Sequence, residues 1–319
     1  MTLPLDRLKT YALSERPSLV SKEGFARIEP PPPGAVAALL AALPDVLGAK
    51  SLRRLARALL DARRDQAPVL FGIGAHVLKV GLSPLLVDLM ERGFVQGLAM
   101  NGAGAIHDVE LALIGATSED VGAALKDGSF GMARDTAEFL NGAVKAGAAE
   151  GLGFGAAVGR AIDRAALPHR ELSVLWHCFR RRIPGTVHVT LGADIVHMHG
   201  SADGASIGAA SLADFRRFAE AVAGLERGAY VNVGSAVTLP EVFLKALAIA
   251  RNLGAKVERF TTANLDQLPH YRPRVNVLDR PAGGQALDLR GQHEILLPLL
   301  RWLLVDPPAE WRAGAEASR

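Results

Sequence analysis

The residues best placed to do chemistry follow short apolar runs, at four turns that contain glycine or threonine. These turns cover residues 72–76, 101–107, 234–236 and 261–264. In an open α/β sheet, ligands bind beyond the carboxyl ends of the strands, where glycine lets the backbone come close to the ligand. Backbone amides at the start of the following helix favour anions such as a nucleotide phosphate. Each turn alone is equally well explained as a tight connection, but the four together favour a nucleotide or cofactor.

Polar residues beside these turns are candidates for contacting a ligand. His107 and Asp108 directly follow the second turn. Asp194, His197 and His199 lie on a run whose alternation predicts a strand, with both histidines on one face. Because a buried carboxylate needs a cationic partner, Asp194 is a candidate for binding an amine. Two histidines on one strand are more often hydrogen-bonded core groups than zinc ligands, so we expect no metal site.

Composition excludes several classes of protein. The net charge is only +3. Two arginine clusters occur, at residues 53–64 and 180–182, but aromatic residues are not interleaved with the arginines as they are in proteins that bind single-stranded nucleic acid. We therefore expect no nucleic-acid partner. The single cysteine, Cys178, fits a reducing compartment, and neither a leader peptide nor an apolar run long enough to span a membrane is evident. The expectation is a cytoplasmic protein without a membrane partner.

Apolar runs and helical periodicities alternate from residue 69 to residue 278, which is typical of a parallel sheet with crossover helices. A proline run at residues 30–33 separates a weakly patterned N-terminal arm from this region. Strands are predicted at residues 69–73, 95–100, 186–191, 194–198, 230–233 and 257–261, with a further one at 274–278. Acidic residues in a first turn predict a helix over residues 118–126.

Three stretches, residues 74–84, 99–108 and 260–264, resemble the deoxyhypusine synthase family. Shorter matches occur at residues 194–199, 234–236 and 250–254, in the order of the family. The resemblance covers about residues 65–305. It gives three predicted segments: an arm with helices (1–65), an NAD-binding domain (66–305) and a tail (306–319).

The resemblance implies an α/β fold with a Rossmann-like, mostly parallel sheet flanked by helices, preceded by an N-terminal helical arm. It also implies a homotetramer that binds NAD at subunit interfaces and oxidises spermidine, passing the aminobutyl group to an acceptor lysine. Asp194 matches the family carboxylate that holds a spermidine amine, and His199 keeps the family spacing after it. The positions that match NAD-binding residues are Gly74, Ala75, His76, Asn101, Gly102, Ala103, His107, Asp108, Gly234, Ser235, Thr262, Ala263 and Asp266.

One departure from the family concerns its nucleophile, a lysine that carries the aminobutyl group as an imine. No lysine follows Lys256, and the corresponding region, residues 271–280, offers only arginines. Arginine cannot replace lysine because its guanidinium stays protonated. We therefore expect no covalent imine. Lys79 is the one lysine near a predicted ligand turn, and its alternative interpretation is a helix-surface residue.

The sequence leaves three hypotheses open. The first is an NAD-dependent transferase that moves an alkyl group from a polyamine directly to an amine acceptor. The second is a non-catalytic oligomer that binds NAD or a polyamine. The third is a structural oligomer that binds neither.

Overall fold

A six-stranded, mostly parallel sheet is the main feature of the computed structural model, which describes residues 3–312. The strands are β1 (Val20–Ser21), β2 (Val69–Ile73), β3 (Gly97–Asn101), β4 (Ala116–Thr117), β5 (Gly185–His188), β6 (Ala229–Val233), β7 (Thr261–Asp266) and β8 (Gln285–Arg290). The order in the sheet is β5-β3-β2-β6-β7-β8, while β1 and β4 form a separate antiparallel pair. With helices flanking the sheet, the predicted α/β, Rossmann-like architecture is confirmed.

The helices account for most of the remaining chain. They are α1 (Ala35–Ala42), α2 (Leu47–Arg64), α3 (Ala75–Lys79), α4 (Ser83–Glu91), α5 (Gly102–Ile114), α6 (Val121–Ala124), α7 (Arg134–Ala149), α8 (Phe154–Ala165), α9 (Val174–Arg181), α10 (Gly204–Ala223), α11 (Thr238–Asn252), α12 (Tyr271–Pro273), α13 (His293–Val305) and α14 (Ala309–Arg312). Within the described part of the chain, none of them is long and apolar enough to cross a lipid bilayer.

The chain forms two compact units, each assembled from several segments. The first unit contains the residues up to Phe25, Ile73–Ser83 and Leu98–Phe218. The second contains Ala26–Gly72, Pro84–Gly97 and the residues from Ala219 onward. Their segments alternate along the sequence, whereas the predicted segments 1–65, 66–305 and 306–319 are consecutive. Residues 1–2 and 313–319 of those predicted segments lie outside the described residues.

In the first unit, β3 and β5 are parallel and helix α5 begins where β3 ends. Asn101, the last residue of β3, lies opposite His188 of β5. The side chain of Asn101 accepts a hydrogen bond from the amide of Gly104 at 3.0 Å and so caps α5. Strand, turn and helix therefore follow one another as the glycine turn at 101–107 predicts.

In the second unit, β6, β7 and β8 form a parallel ladder around a buried aromatic pair. Every residue of β6 is buried, and the Tyr230 ring stacks on Phe243 of α11 with the ring centroids 3.9 Å apart. A Cβ atom at Gly72 would lie 2.2 Å from the Tyr230 hydroxyl oxygen. Gly72 is thus required for core packing, which agrees with the interpretation of that turn as a tight connection.

Two of the predicted strands are wrong. The run after Asp194 forms a 3-10 helix, Ile195–Met198, and Arg274–Asp279 is a π-helix. In the second case the Asn276 side chain donates a hydrogen bond to Glu241 at 2.9 Å, so a tertiary contact outweighs the β-propensity of the valines on either side. The strand expected at 257–261 instead begins at Thr261 and runs to Asp266.

Candidate functional site

The principal candidate site is a cavity of about 250 Å³ in the first unit, which we call the Arg16 cavity. Its lining residues are Arg16, Lys79, Ala103, Ile106, His107, Glu110, Ser118, Glu119, Val121, Phe130, Ala193, Asp194 and Ile195. Three residues predicted from sequence, Ala103, His107 and Asp194, are thus brought together here. Lys79 is also in the wall of this cavity.

An ion pair between Arg16 and Glu110 forms the floor of the site. The Arg16 Nη1 and Nη2 atoms donate to the two Glu110 oxygens at 2.9 and 2.7 Å, and both side chains are almost entirely buried. Glu110 also accepts hydrogen bonds from the hydroxyls of Thr117 (2.6 Å) and Thr136 (3.2 Å). Four donors on one carboxylate compensate its removal from water.

The N-terminal segment is fastened to the first unit by contacts on either side of Arg16. The amide of Leu13 donates to Asp135 at 2.6 Å, and Leu13 itself is buried. Val20 pairs with Thr117 in the β1–β4 ladder. The Tyr11 hydroxyl donates to Glu119 at 3.3 Å. The backbone on both sides of Arg16 is therefore held against the first unit.

Glu119 lies in the cavity wall because the chain is not helical at residues 118–120, where the sequence predicts the start of a helix over 118–126. Ser118 adopts a left-handed conformation with φ +70°, and the helix is shortened to α6, capped by the Asp120 side chain. Glu119 is left in the turn, where it accepts a hydrogen bond from the amide of Gly131 at 3.0 Å. A helix starting at residue 118 would have placed Glu119 in a solvent-facing first turn.

Asp194 lies against the start of α5, where a phosphate was expected. Its Oδ2 atom would be 1.9 Å from a Cβ at Gly102, so only glycine admits the carboxylate. The Ala103 amide hydrogen-bonds to the carboxylate, while the Oδ2 atom has no hydrogen-bond partner among the described residues. Burial raises the pKa of Asp194 to about 6 despite that hydrogen bond. The amide of Ala103 is thus used by Asp194, and the cofactor role of Asn101, Gly102 and Ala103 stays a prediction.

A second cavity, of about 450 Å³, shares Arg16 and Glu119 with the first. It adds three carboxylates to the walls, those of Glu15, Asp120 and Asp127. The two cavities together present mostly negative charge to any ligand.

Two residues predicted to contact a ligand are used within the protein instead. The Asp108 carboxylate is fully buried and accepts hydrogen bonds from the Ser173 hydroxyl (2.5 Å) and the amides of Val174 and Leu175 at the start of α9. Burial raises the pKa of Asp108 to about 7. His199 is buried, with its Nε2 atom 2.8 Å from the carbonyl of Gly131. Both side chains are thus engaged in hydrogen bonds within the protein, and their contacts with a ligand stay predictions.

The second unit has its own group of predicted residues, at the carboxyl ends of β6 and β7. Gly234 follows β6 with φ +65°, and its amide donates to the carbonyl of Leu265 at 3.0 Å. The Ser235 hydroxyl accepts a hydrogen bond from the amide of Leu239 in α11. Asp266 ends β7, and its buried Oδ2 atom has no hydrogen-bond partner in the described part of the chain. An unpaired acceptor at the end of a strand suits the hydroxyl groups of a ribose.

A row of polar side chains behind this turn was not predicted from the sequence. Asn232, Asn264 and Asp288 occupy paired positions on three adjacent strands. Asn232 Nδ2 donates to Asn264 at 2.8 Å and to the carbonyl of Ser235 at 3.0 Å. The row therefore holds the Gly234–Ser235 turn in place. Its signal in the sequence is an asparagine in the middle of each of two apolar strands.

The prediction that Thr262 and Ala263 lie at a strand-to-turn joint is wrong. Both are buried inside β7, near its amino end, and the carboxyl end comes at Asp266. The predicted strand was placed four residues too early. Asp266, not Thr262 or Ala263, is the residue at the carboxyl end of β7.

The predicted NAD-binding residues after β2 lie at the start of a short helix. Gly74 is the N-cap of the short helix α3, Ala75 is its first residue, and His76 is exposed.

Cys178 is buried, and burial raises the pKa of its thiol, as expected of a structural cysteine. Among the described residues, no group of three histidine, cysteine or acidic side chains is arranged to hold a metal ion.

Sequence reasoning missed Arg16, Glu110, Glu119 and Tyr11. Tyr11 and Arg16 lie in a weakly patterned segment, and nothing local indicates that it folds back onto α5. Glu110 carried a usable signal, because an acidic residue within the apolar face of a helix needs a buried cationic partner.

Comparisons with known proteins establish the fold. No protein-family profile matches the chain. No curated protein matches it either. Among solved structures, a LOR/SDH protein from Methanococcus maripaludis S2 is 17% identical with a TM-score of 0.53, covering 79% of this chain and 66% of its own. The complex of AgrE with ornithine and NAD+ is 16% identical with a TM-score of 0.53, covering 88% of this chain.

This chain spans only 34% of the AgrE chain and slightly less than two thirds of the LOR/SDH chain. A protein from Entamoeba histolytica described as a deoxyhypusine synthase covers 92% of this chain at 9% identity, and its TM-score of 0.45 carries no argument. At these identities the similarity shows a shared fold and nothing finer.

Replacing Gly102 with alanine tests the contact between Asp194 and α5. We expect Gly102→Ala to lower the free energy of unfolding by about 1–3 kcal/mol, because the new methyl group and the carboxylate cannot share the space. Gly142→Ala is the matched control: Gly142 also lies in a helix, but its Cβ would meet nothing within 4 Å. The free energy of unfolding of Gly142→Ala should equal that of the wild type or exceed it by up to ~1 kcal/mol, because alanine has the higher helix propensity.

Urea unfolding of the wild type and both variants measures these free energies of unfolding. Equal stability of Gly102→Ala and Gly142→Ala would show that Asp194 is not held against α5.

Proposed function

We propose that this chain is an NAD-dependent enzyme, similar in chemistry to the deoxyhypusine synthase family, that binds a polyamine in the Arg16 cavity. It transfers an alkyl group from that polyamine to an amine acceptor. The observation that carries the proposal is Asp194, a buried carboxylate without a cationic partner among the described residues. Such a group is stabilised when a cation supplies the missing charge.

An amine is the ligand class that the cavity walls favour. Glu110 is already neutralised by Arg16, whereas Asp194 and Glu119 have no lysine or arginine within ion-pair distance in the described residues. Asp194, together with Glu119, on which the charge of Arg16 also acts, suits a ligand with more than one ammonium group. The carboxylates of the adjoining cavity, Glu15, Asp120 and Asp127, extend the same preference along a longer polyamine.

NAD is proposed as the cofactor from the fold and from the second unit. The residues there fit a ribose: Asp266 offers a buried, unpaired oxygen, next to the Gly234–Ser235 turn on the neighbouring strand. When bound, NAD would supply the acceptor for a hydride taken from the carbon beside the amine nitrogen, and would return that hydride once the acceptor amine has replaced the remaining diamine, which leaves. The presence of NAD+ in the complex of AgrE, a protein of similar fold, supports this choice.

The protein's own part in this chemistry is to bind and orient the amine. Asp194 would pair with an ammonium group, and the Ala103 amide would keep the carboxylate oriented. The buried Arg16–Glu110 pair would keep the wall beneath the ligand rigid. These contacts fix which carbon of the ligand is presented for oxidation.

The alternative is a non-catalytic oligomer that binds NAD or a polyamine. The absence of any lysine after Lys256 favours it, because the family's covalent step cannot take place in that region. Assembly as a homotetramer remains a prediction from the resemblance to the family.

Spermidine affinity should depend on pH through Asp194. The carboxylate form binds the cation, so affinity is full above a pH of about 6 and falls as the pH drops through that value. Asp194→Asn should lower the affinity at pH 8 by roughly 10–100-fold, as expected for a lost charged hydrogen bond, and flatten this pH dependence. Calorimetric titrations from pH 5 to 8 measure both.

Asp203→Asn is the control for this experiment. Asp203 precedes α10 in the same unit and lines neither cavity, so its substitution should leave affinity and pH dependence unchanged. Equal binding by wild type and Asp194→Asn would remove the basis of the proposal.

A turnover experiment separates the enzyme from the binding protein. We expect spermidine and NAD+ together to give NADH, detected by its absorbance, and borohydride followed by peptide mapping to find no aminobutyl adduct. An adduct on Lys79, absent in Lys79→Arg, would contradict direct transfer and establish a covalent route. Binding of both ligands without NADH would favour the non-catalytic alternative.

A further inference from the structure

His107 is held in the Arg16 cavity by a chain of hydrogen bonds that reaches the buried ion pair. It lies on α5, one turn before Glu110, and is half-buried in the cavity wall. Its Nδ1 atom is 2.7 Å from the Thr117 hydroxyl oxygen, and that hydroxyl is 2.6 Å from Glu110. The chain thus runs from His107 through Thr117 and Glu110 to Arg16.

The direction of these hydrogen bonds determines which ring nitrogen carries the proton. Glu110 is an acceptor only, because the ion pair with Arg16 keeps it as a carboxylate. The single hydroxyl hydrogen of Thr117 must therefore point to Glu110. The oxygen of Thr117 is then an acceptor toward His107, so Nδ1 carries the hydrogen and Nε2 keeps a free lone pair.

The Nε2 atom of His107 has no hydrogen-bond partner among the described residues, although the side chain lines the cavity. Burial lowers the pKa of His107 to about 4. Glu110 opposes this effect, while the positive charges of Lys79 and Arg16 reinforce it. The ring thus stays neutral at neutral pH and adds no charge that would repel a cation.

We infer that Nε2 of His107 is a fixed hydrogen-bond acceptor for an N–H group of the ligand, with its tautomer set by Thr117, Glu110 and Arg16. This inference rests on the proposed function for the identity of the ligand as an amine. An ammonium group that pairs with Asp194 has further N–H donors to offer. A carboxylate ligand has none, so the site would discriminate against it by leaving two acceptors facing each other.

The experiment is NMR of protein labelled with ¹⁵N at histidine, with and without spermidine. His107→Gln identifies the signals of His107 by their disappearance. Thr117→Val removes the hydroxyl that orients the ring, and Thr136→Val is the matched control. Thr136 also donates to Glu110, at 3.2 Å, but makes no contact with His107. Thr117→Ser restores the hydroxyl and guards against a folding defect caused by valine.

In the wild type we expect an unprotonated Nε2 whose resonance moves when spermidine binds. Thr136→Val and Thr117→Ser should behave in the same way. Thr117→Val should show mixed tautomers and about tenfold weaker spermidine binding, the cost of one hydrogen bond.

Three results would overturn the inference: a protonated Nε2 in the wild type, an Nε2 signal unmoved by bound spermidine, or an unchanged tautomer in folded Thr117→Val. If instead spermidine fails to bind wild type at all, the proposed function fails and this assignment fails with it. The first three results leave spermidine binding intact, so the two failures are distinguishable.

Discussion

The buried ion pair between Arg16 and Glu110 is the interaction on which the candidate site depends. It joins the N-terminal segment to α5, and it makes the Glu110 carboxylate a permanent acceptor for Thr117 and Thr136. Removing one partner of such a pair leaves an uncompensated buried charge, at a cost of about 3–5 kcal/mol. The pair therefore both holds the N-terminal segment on α5 and orients the hydroxyls of Thr117 and Thr136.

Asp194 illustrates how the fold uses the positive end of a helix for its own carboxylate. The turn after β3 has the form expected of a phosphate site, with a glycine at the start of α5. Yet Gly102 leaves room for Asp194, and the Ala103 amide binds it. A helix N-terminus favours an anion without specifying which one. Here the anion is part of the chain, so the Ala103 amide already has an anionic partner in Asp194.

Much of the fold could be predicted from the sequence, because apolar runs alternate with helical periodicity. The failures have local causes. Residues 194–198 alternate like a strand but form a 3-10 helix, and Arg274–Asp279 is helical because Asn276 finds a partner in Glu241. Strand β8 was missed because only Leu287 and Leu289 are buried along its length.

The candidate site was predictable only in part. His107 and Asp194 were found because they lie beside strand ends or match a family motif. Arg16 and Tyr11 could not be found, because their role depends on contacts with residues about 100 positions away. The position of Thr262 was predicted wrongly because a sequence motif gives the residue types of a turn but does not show where the preceding strand ends.

A crystal structure of the protein soaked with spermidine tests polyamine binding in the Arg16 cavity most directly. We expect density for the amine in the Arg16 cavity, with an ammonium nitrogen within hydrogen-bond distance of Asp194 and the Arg16–Glu110 pair intact beneath it. Spermidine bound elsewhere with the cavity unchanged, or a cavity occupied by an anion in contact with Arg16, would contradict it.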